Sequence, residues 1–146
     1  MDFFAAIYDT LFSIWSQKYS FIFTTLFSDG GYFNFSLLFT LIPLACWLLF
    51  YFVWRYPYGK WWHWLIWLVF TALFVIGATY GIARNEILAS VNPDMISCYN
   101  DPDCLSYAES LPFEYAKANG ILSIIVSIII SIILKQFSKI QTHLPF

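Results

Sequence analysis

Any chemistry in this chain has to come from few residues, and the cysteines are the first to weigh. Cys98 and Cys104 bracket the stretch Cys98-Tyr-Asn-Asp-Pro-Asp-Cys104. The spacing is C-x5-C, not the C-x-x-C of thiol oxidoreductases, and no neighbouring group would lower a thiol pKa. A structural disulfide is expected, contributing about 2 kcal/mol by restricting the unfolded chain. Cys46 lies in an apolar run and reads as a small buried hydrophobe.

Asp94, Asn100, Asp101 and Asp103 offer oxygens of the kind that bind Ca²⁺. They lack the EF-hand spacing and its bidentate glutamate, and Asn-Asp-Pro-Asp is first a turn sequence, so no metal site is expected. His63 sits within Trp61-Trp62-His63-Trp64, and His143 lies in the C-terminal tail. Two such histidines make neither a haem pair across one span nor a zinc triad, so no cofactor is expected. No ionisable residue falls near the middle of an apolar run, which argues against proton relays and charged-substrate transport.

The last candidates are serines. Gly120 to Leu134 reads GILSIIVSIIISIIL, and the polar row through it is Asn119, Ser123, Ser127, Ser131, Lys135. No base accompanies these serines, so they are not nucleophiles and the chain is not expected to be an enzyme. Residues four apart share a helical ridge, but each step advances about 40° beyond a full turn. Over four steps the row winds about 160°, off the axis of a pore but along a helix crossing. A packing ridge is therefore expected, facing either the Gly77-Ala-Thr-Tyr-Gly81 motif or a partner.

These residues are carried by a membrane-type chain. Of 146 residues 60% are hydrophobic, 23% aromatic and 11% charged, where soluble domains carry about 25% charged. Seven basic residues against nine acidic ones leave no footprint for nucleic acid. No secretory signal is expected at the start, where Asp2 replaces a basic region.

The expected fold is an all-α integral membrane protein with three transmembrane helices and an N-terminal amphipathic helix. Residues 3–27 place Asp9, Ser13, Ser16, Gln17, Ser20 and Thr24 opposite an aromatic and aliphatic face. That pattern predicts a helix lying in the membrane interface, with spanning as the alternative. Ser28-Asp29-Gly30-Gly31 ends it. Spans are expected at 34–54, kinked at Pro43, at 61–83, and at 112–134, opened by Ser110, Pro112 and Glu114. A polar loop fills 84–111 and a tail 135–146. Trp54, Trp61, Trp62, Trp64 and Trp67 crowd the turn at 55–60 and predict an interfacial aromatic belt.

Charge orients the chain. With the 55–60 turn on the cytoplasmic or matrix side, Arg55, Lys60, Lys135 and Lys139 all lie inside. All nine acidic residues then lie on the other side, with Cys98 and Cys104 where a disulfide persists. A bacterial inner membrane fits, as does a mitochondrial inner membrane. The leading functional expectation is a structural or accessory subunit of a larger membrane complex. Its partners would be lipids and other membrane subunits or copies of itself. Two alternatives are a homo-oligomeric or holin-like pore lined by the last span, and a small membrane immunity or exclusion protein.

Overall fold

A computed structural model describes residues 6–8, 10, 19–53, 61–90 and 92–137. The protein is all-α. Its helices are α1 (Ser20–Ser28), α2 (Gly31–Phe52), α3 (Trp61–Leu88), α4 (Pro93–Tyr99) and α5 (Pro102–Phe137), and residues 6–8 and 10 are also helical. Helices α2, α3 and α5 are each long and apolar enough to cross a membrane. At 1.5 Å per residue they run to about 33, 42 and 54 Å against a hydrocarbon thickness of about 30 Å. The two longer helices exceed that hydrocarbon thickness by about 12 and 24 Å.

The three long helices pack mutually, with α5 in the groove between α2 and α3. The burial pattern follows helical periodicity: Thr71, Ala72, Val75, Thr79, Ala83 and Ile87 form one inward stripe on α3. Two aromatic clusters close the ends of this core. At the disulfide end Tyr8, Tyr32, Phe35 and Tyr115 stack together, with ring centroids 5.2 to 6.5 Å apart. At the tryptophan end Trp47, Phe50 and Tyr51 pack with Trp64 and Trp67. Between them the interior is lined by small residues, including Pro43, Cys46, Thr71, Ala72, Ser123 and Ser127.

Turn chemistry sets where the helices begin. Gly30 adopts φ +76°, a left-handed conformation suited to glycine, and its carbonyl receives the first N–H groups of α2, from Phe33 and Asn34. Glu86 reaches across from α3: its carboxylate accepts from Asn34 Nδ2 at 2.8 Å, and a Cβ on Gly31 would lie 2.8 Å from its other oxygen. That puts a carboxylate at the positive N-terminal end of α2, which has no acidic residue in its own first turn.

The structure departs from expectation in the segment read as loop 84–111. Helix α3 continues to Leu88 because Ile87 is buried and Glu86 has a partner on α2. Asn92-Pro93-Asp94 is a helix start: the Asn92 side chain accepts from Asp94 N at 3.0 Å, with Pro93 in the first helical position. The final helix begins at Pro102, not Pro112, with Asp101 Oδ1 accepting from Asp103 N at 3.1 Å. Pro112 lies inside α5, buried beside Leu111. Cys104, Ala108, Leu111, Tyr115 and Ala116 recur at helical spacing on one buried face. Packing of that face outweighs the hydrogen bond that proline removes.

The N-terminal expectation also changes. Residues 3–27 do not form one helix, since Tyr19 lies outside helical geometry at φ −114°, ψ 52° and α1 starts at Ser20. The described parts pack against the bundle. Ile22, Phe23, Thr25 and Leu26 are buried, and Tyr8 is fully buried against Tyr32, Phe35 and Tyr115. An amphipathic face finds the same relief from water against a protein core as against lipid, and here the core takes it.

Candidate functional site

The sequence directs attention to two small-residue faces, one on α5 and one on α3. On α5 the ridge Asn119, Ser123, Ser127, Ser131 is wholly buried. It turns progressively along the helix, yet stays covered because α2 and α3 flank it on both sides. The ends of the ridge contact both neighbours. Asn119 Nδ2 donates to the Phe35 carbonyl of α2 at 3.1 Å and to Thr79 Oγ1 of α3 at 3.0 Å. Its Oδ1 accepts from the Tyr8 hydroxyl. Ser131 Oγ lies 2.8 Å from Tyr51 Oη of α2 and accepts from Trp64 Nε1 of α3 at 2.8 Å.

Ser123 satisfies itself, donating back to the Gly120 carbonyl at 2.7 Å. Gly120 is where α3 and α5 approach most tightly among the glycines on these two helices. A Cβ there would sit 2.6 and 2.8 Å from two carbons of Ile76.

Gly77 and Gly81 behave differently. They face outward, and a Cβ on either would meet nothing within 4 Å among the described residues. They do not pack against the serine ridge. Exposed Leu73, Phe74 and Tyr80 surround them on α3, and Phe70 stacks on Phe74 one turn away. The result is a shallow notch in a surface otherwise covered by large side chains.

The tryptophans divide into two pairs. Trp61 and Trp62 are exposed and stack at 4.0 Å. Trp64 and Trp67 turn into the bundle, where Trp67 Nε1 donates to the Cys46 carbonyl at 2.9 Å. The difference follows from helical spacing: Trp64, Trp67 and Thr71 share the side of α3 that faces α2 and α5. Trp54 lies outside the described residues, as do Arg55, Lys60 and Lys139 of the orienting charges. Beside Trp67, the side chains of Phe50, His63, Ile66 and Phe70 border a cleft of about 230 Å³.

Cys98 and Cys104 are disulfide-bonded, with Cα atoms 5.3 Å apart. The bond ties the last turn of α4 to the first turn of α5. Around it the acidic and amide side chains serve the backbone: Asp101 caps α5, and Asn100 Nδ2 donates to the Ile96 carbonyl at 3.2 Å. Glu114 pairs with Lys117 at 2.7 Å on the exposed side of α5. No group of three or more His, Cys, Asp or Glu is arranged to hold a metal among the described residues.

The arrangement is equipped for packing. The bonded hydroxyls of the ridge, those of Ser123 and Ser131, meet a backbone carbonyl, a phenol and an indole, with no carboxylate or imidazole bonded to them among the described residues. Sequence reading placed Asn119 on the ridge but missed its partners Tyr8, Thr79 and the Phe35 carbonyl, which belong to segments far apart in the chain. The signal for Gly120 was present, as the glycine adjoining Asn119 on the ridge.

No protein family, curated protein or solved structure that the chain was compared with matches it.

Proposed function

We propose that the protein is a structural or accessory subunit of a larger membrane complex, and that it docks through the outward face of α3 at Gly77 and Gly81. The observation that carries this reading is the open space over both glycines on an exposed helix face. Small residues on a membrane-spanning helix allow close backbone approach, and there van der Waals packing is a principal attraction between helices. Within the chain that capacity goes unused at Gly77 and Gly81, while at Gly120 it is taken up by Ile76.

Burial of Ser123, Ser127 and Ser131 weighs against a pore lined by the last span. The faces of α5 left for such a pore carry Ile121, Ile125, Ile128, Ile129, Ile132 and Ile133, a lining that water would not wet. In the orientation that charge favours, the 55–60 turn and the C-terminus lie on the cytoplasmic or matrix side. Helix α4 and the disulfide then lie opposite, in an oxidising compartment.

Native mass spectrometry of the protein released from its own membrane in mild detergent tests the reading. Co-purification with different subunits in a fixed ratio, lost in Gly77→Leu/Gly81→Leu, is the expected result. A single species containing only identical copies would refute it and return the homo-oligomer to first place.

A further inference from the structure

The three serines of the ridge are equally buried but not equally bonded. Ser123 donates to a backbone carbonyl and Ser131 meets both Tyr51 and Trp64. Ser127, midway between them, has a fully buried Oγ with no hydrogen-bond partner among the described residues. The same holds for the indole Nε1 of Trp47, also fully buried.

Register brings these two groups to one level. Helices α2 and α5 run parallel, and Tyr51 of α2 bonds Ser131 of α5. Trp47 precedes Tyr51 by one turn, and Ser127 precedes Ser131 by one turn, on the same ridges. The Trp47 ring also packs against both partners of Ser131, with centroids 5.9 Å from Tyr51 and 5.7 Å from Trp64.

A helical serine in an apolar core satisfies its hydroxyl by turning onto a carbonyl three or four residues back, as Ser123, Ser36 and Thr71 do here. Ser127 does not. An indole has only a donor to offer, so it needs an acceptor. A hydroxyl can accept from one neighbour and donate to another, and so can a water molecule. Buried polar groups left unpaired at this depth are costly, and ordered water is the usual remedy where protein atoms do not meet.

We propose that the bundle holds one ordered water between Trp47 Nε1 and Ser127 Oγ, accepting from the indole and joined to the serine hydroxyl. It completes a polar seam that runs from Asn119 to Ser131 through an otherwise apolar core. Serine at 127 is then a ligand to that water rather than a spacer between isoleucines.

Two measurements test this on the full-length protein in lipid nanodiscs. The first is a double-mutant cycle in thermal unfolding with Ser127→Ala, Trp47→Phe and the pair. A shared water predicts that Ser127→Ala lowers the unfolding midpoint, and that Trp47→Phe costs less in the Ser127→Ala background than in the wild type. Additive effects, or Ser127→Ala unfolding at or above the wild-type midpoint, would overturn the proposal, since deleting a truly orphaned hydroxyl relieves a cost. The second measurement, which needs no variant to fold, is a high-resolution structure of the wild type. Density within hydrogen-bonding distance of both atoms is expected. A direct bond between Trp47 Nε1 and Ser127 Oγ, or the serine hydroxyl turned onto the Ser123 carbonyl, would overturn it.

Discussion

The serine ridge of α5 and the glycine notch of α3 look alike as small-residue patterns and end up in opposite environments. Ser123, Ser127 and Ser131 are covered on both sides, whereas Gly77 and Gly81 face out over open space. The difference lies in what else each face carries. The ridge is bordered by groups that need partners, Asn119 at one end and Ser131 at the other, and aromatic hydroxyls and indoles of α2 and α3 supply them. The notch offers shape alone. The face whose polar groups find partners within the chain is the buried one, and the face that offers none stays exposed.

The comparison can be broken most severely at Asn119. Asn119→Leu removes bonds to Tyr8, Thr79 and the Phe35 carbonyl and leaves all three buried groups without that partner. A loss of about 3 kcal/mol is expected in denaturant titration of the detergent-solubilised protein, with faster proteolysis of the N-terminal segment as Tyr8 is released. Gly120→Ala tests close approach without touching a hydrogen bond. Its methyl group would overlap Ile76, and a destabilisation of about 2 kcal/mol is expected, largely reversed by the compensating Ile76→Ala.

Opening the disulfide by Cys98→Ser acts at the far end of α5 and should cost about 2 kcal/mol. Hydrogen exchange is expected to quicken around α4 and the first turns of α5, while the ridge below Asn119 keeps its protection. The smallest effect is expected at the notch. Gly77→Ala and Gly81→Ala meet no atom, so each should leave the isolated chain unchanged or more stable by up to about 1 kcal/mol, as helix propensity favours alanine. A destabilisation of either variant comparable to that of Gly120→Ala would erase the contrast between the two faces.

The three long helices were legible because apolar length is read directly from sequence. Packing of the ridge was legible for a geometric reason, since a row that winds suits a helix crossing better than a pore, but its neighbours were not. The register of the bundle was not, because Tyr8–Asn119 and Tyr51–Ser131 join residues separated by 111 and 80 positions. The polar composition of 84–111 concealed its helices. There Pro93 and Pro102 start helices within a segment read as loop, and Pro112 is absorbed by a buried face. Trp64 and Trp67 were read from residue type and their closeness to the 55–60 turn, which did not show that their spacing puts them on the inward side of α3 with Thr71.

The central claim is that another polypeptide covers the notch on α3. Site-specific photo-crosslinking in the native membrane addresses it directly, with a photoreactive phenylalanine analogue at Phe74, which is exposed one turn from Gly77, and at Ile128 on the outward side of α5. The account predicts a discrete adduct with a different membrane protein from position 74 and only lipid adducts from position 128. Adducts from position 74 to lipid alone, or to a second copy of this chain alone, would contradict it.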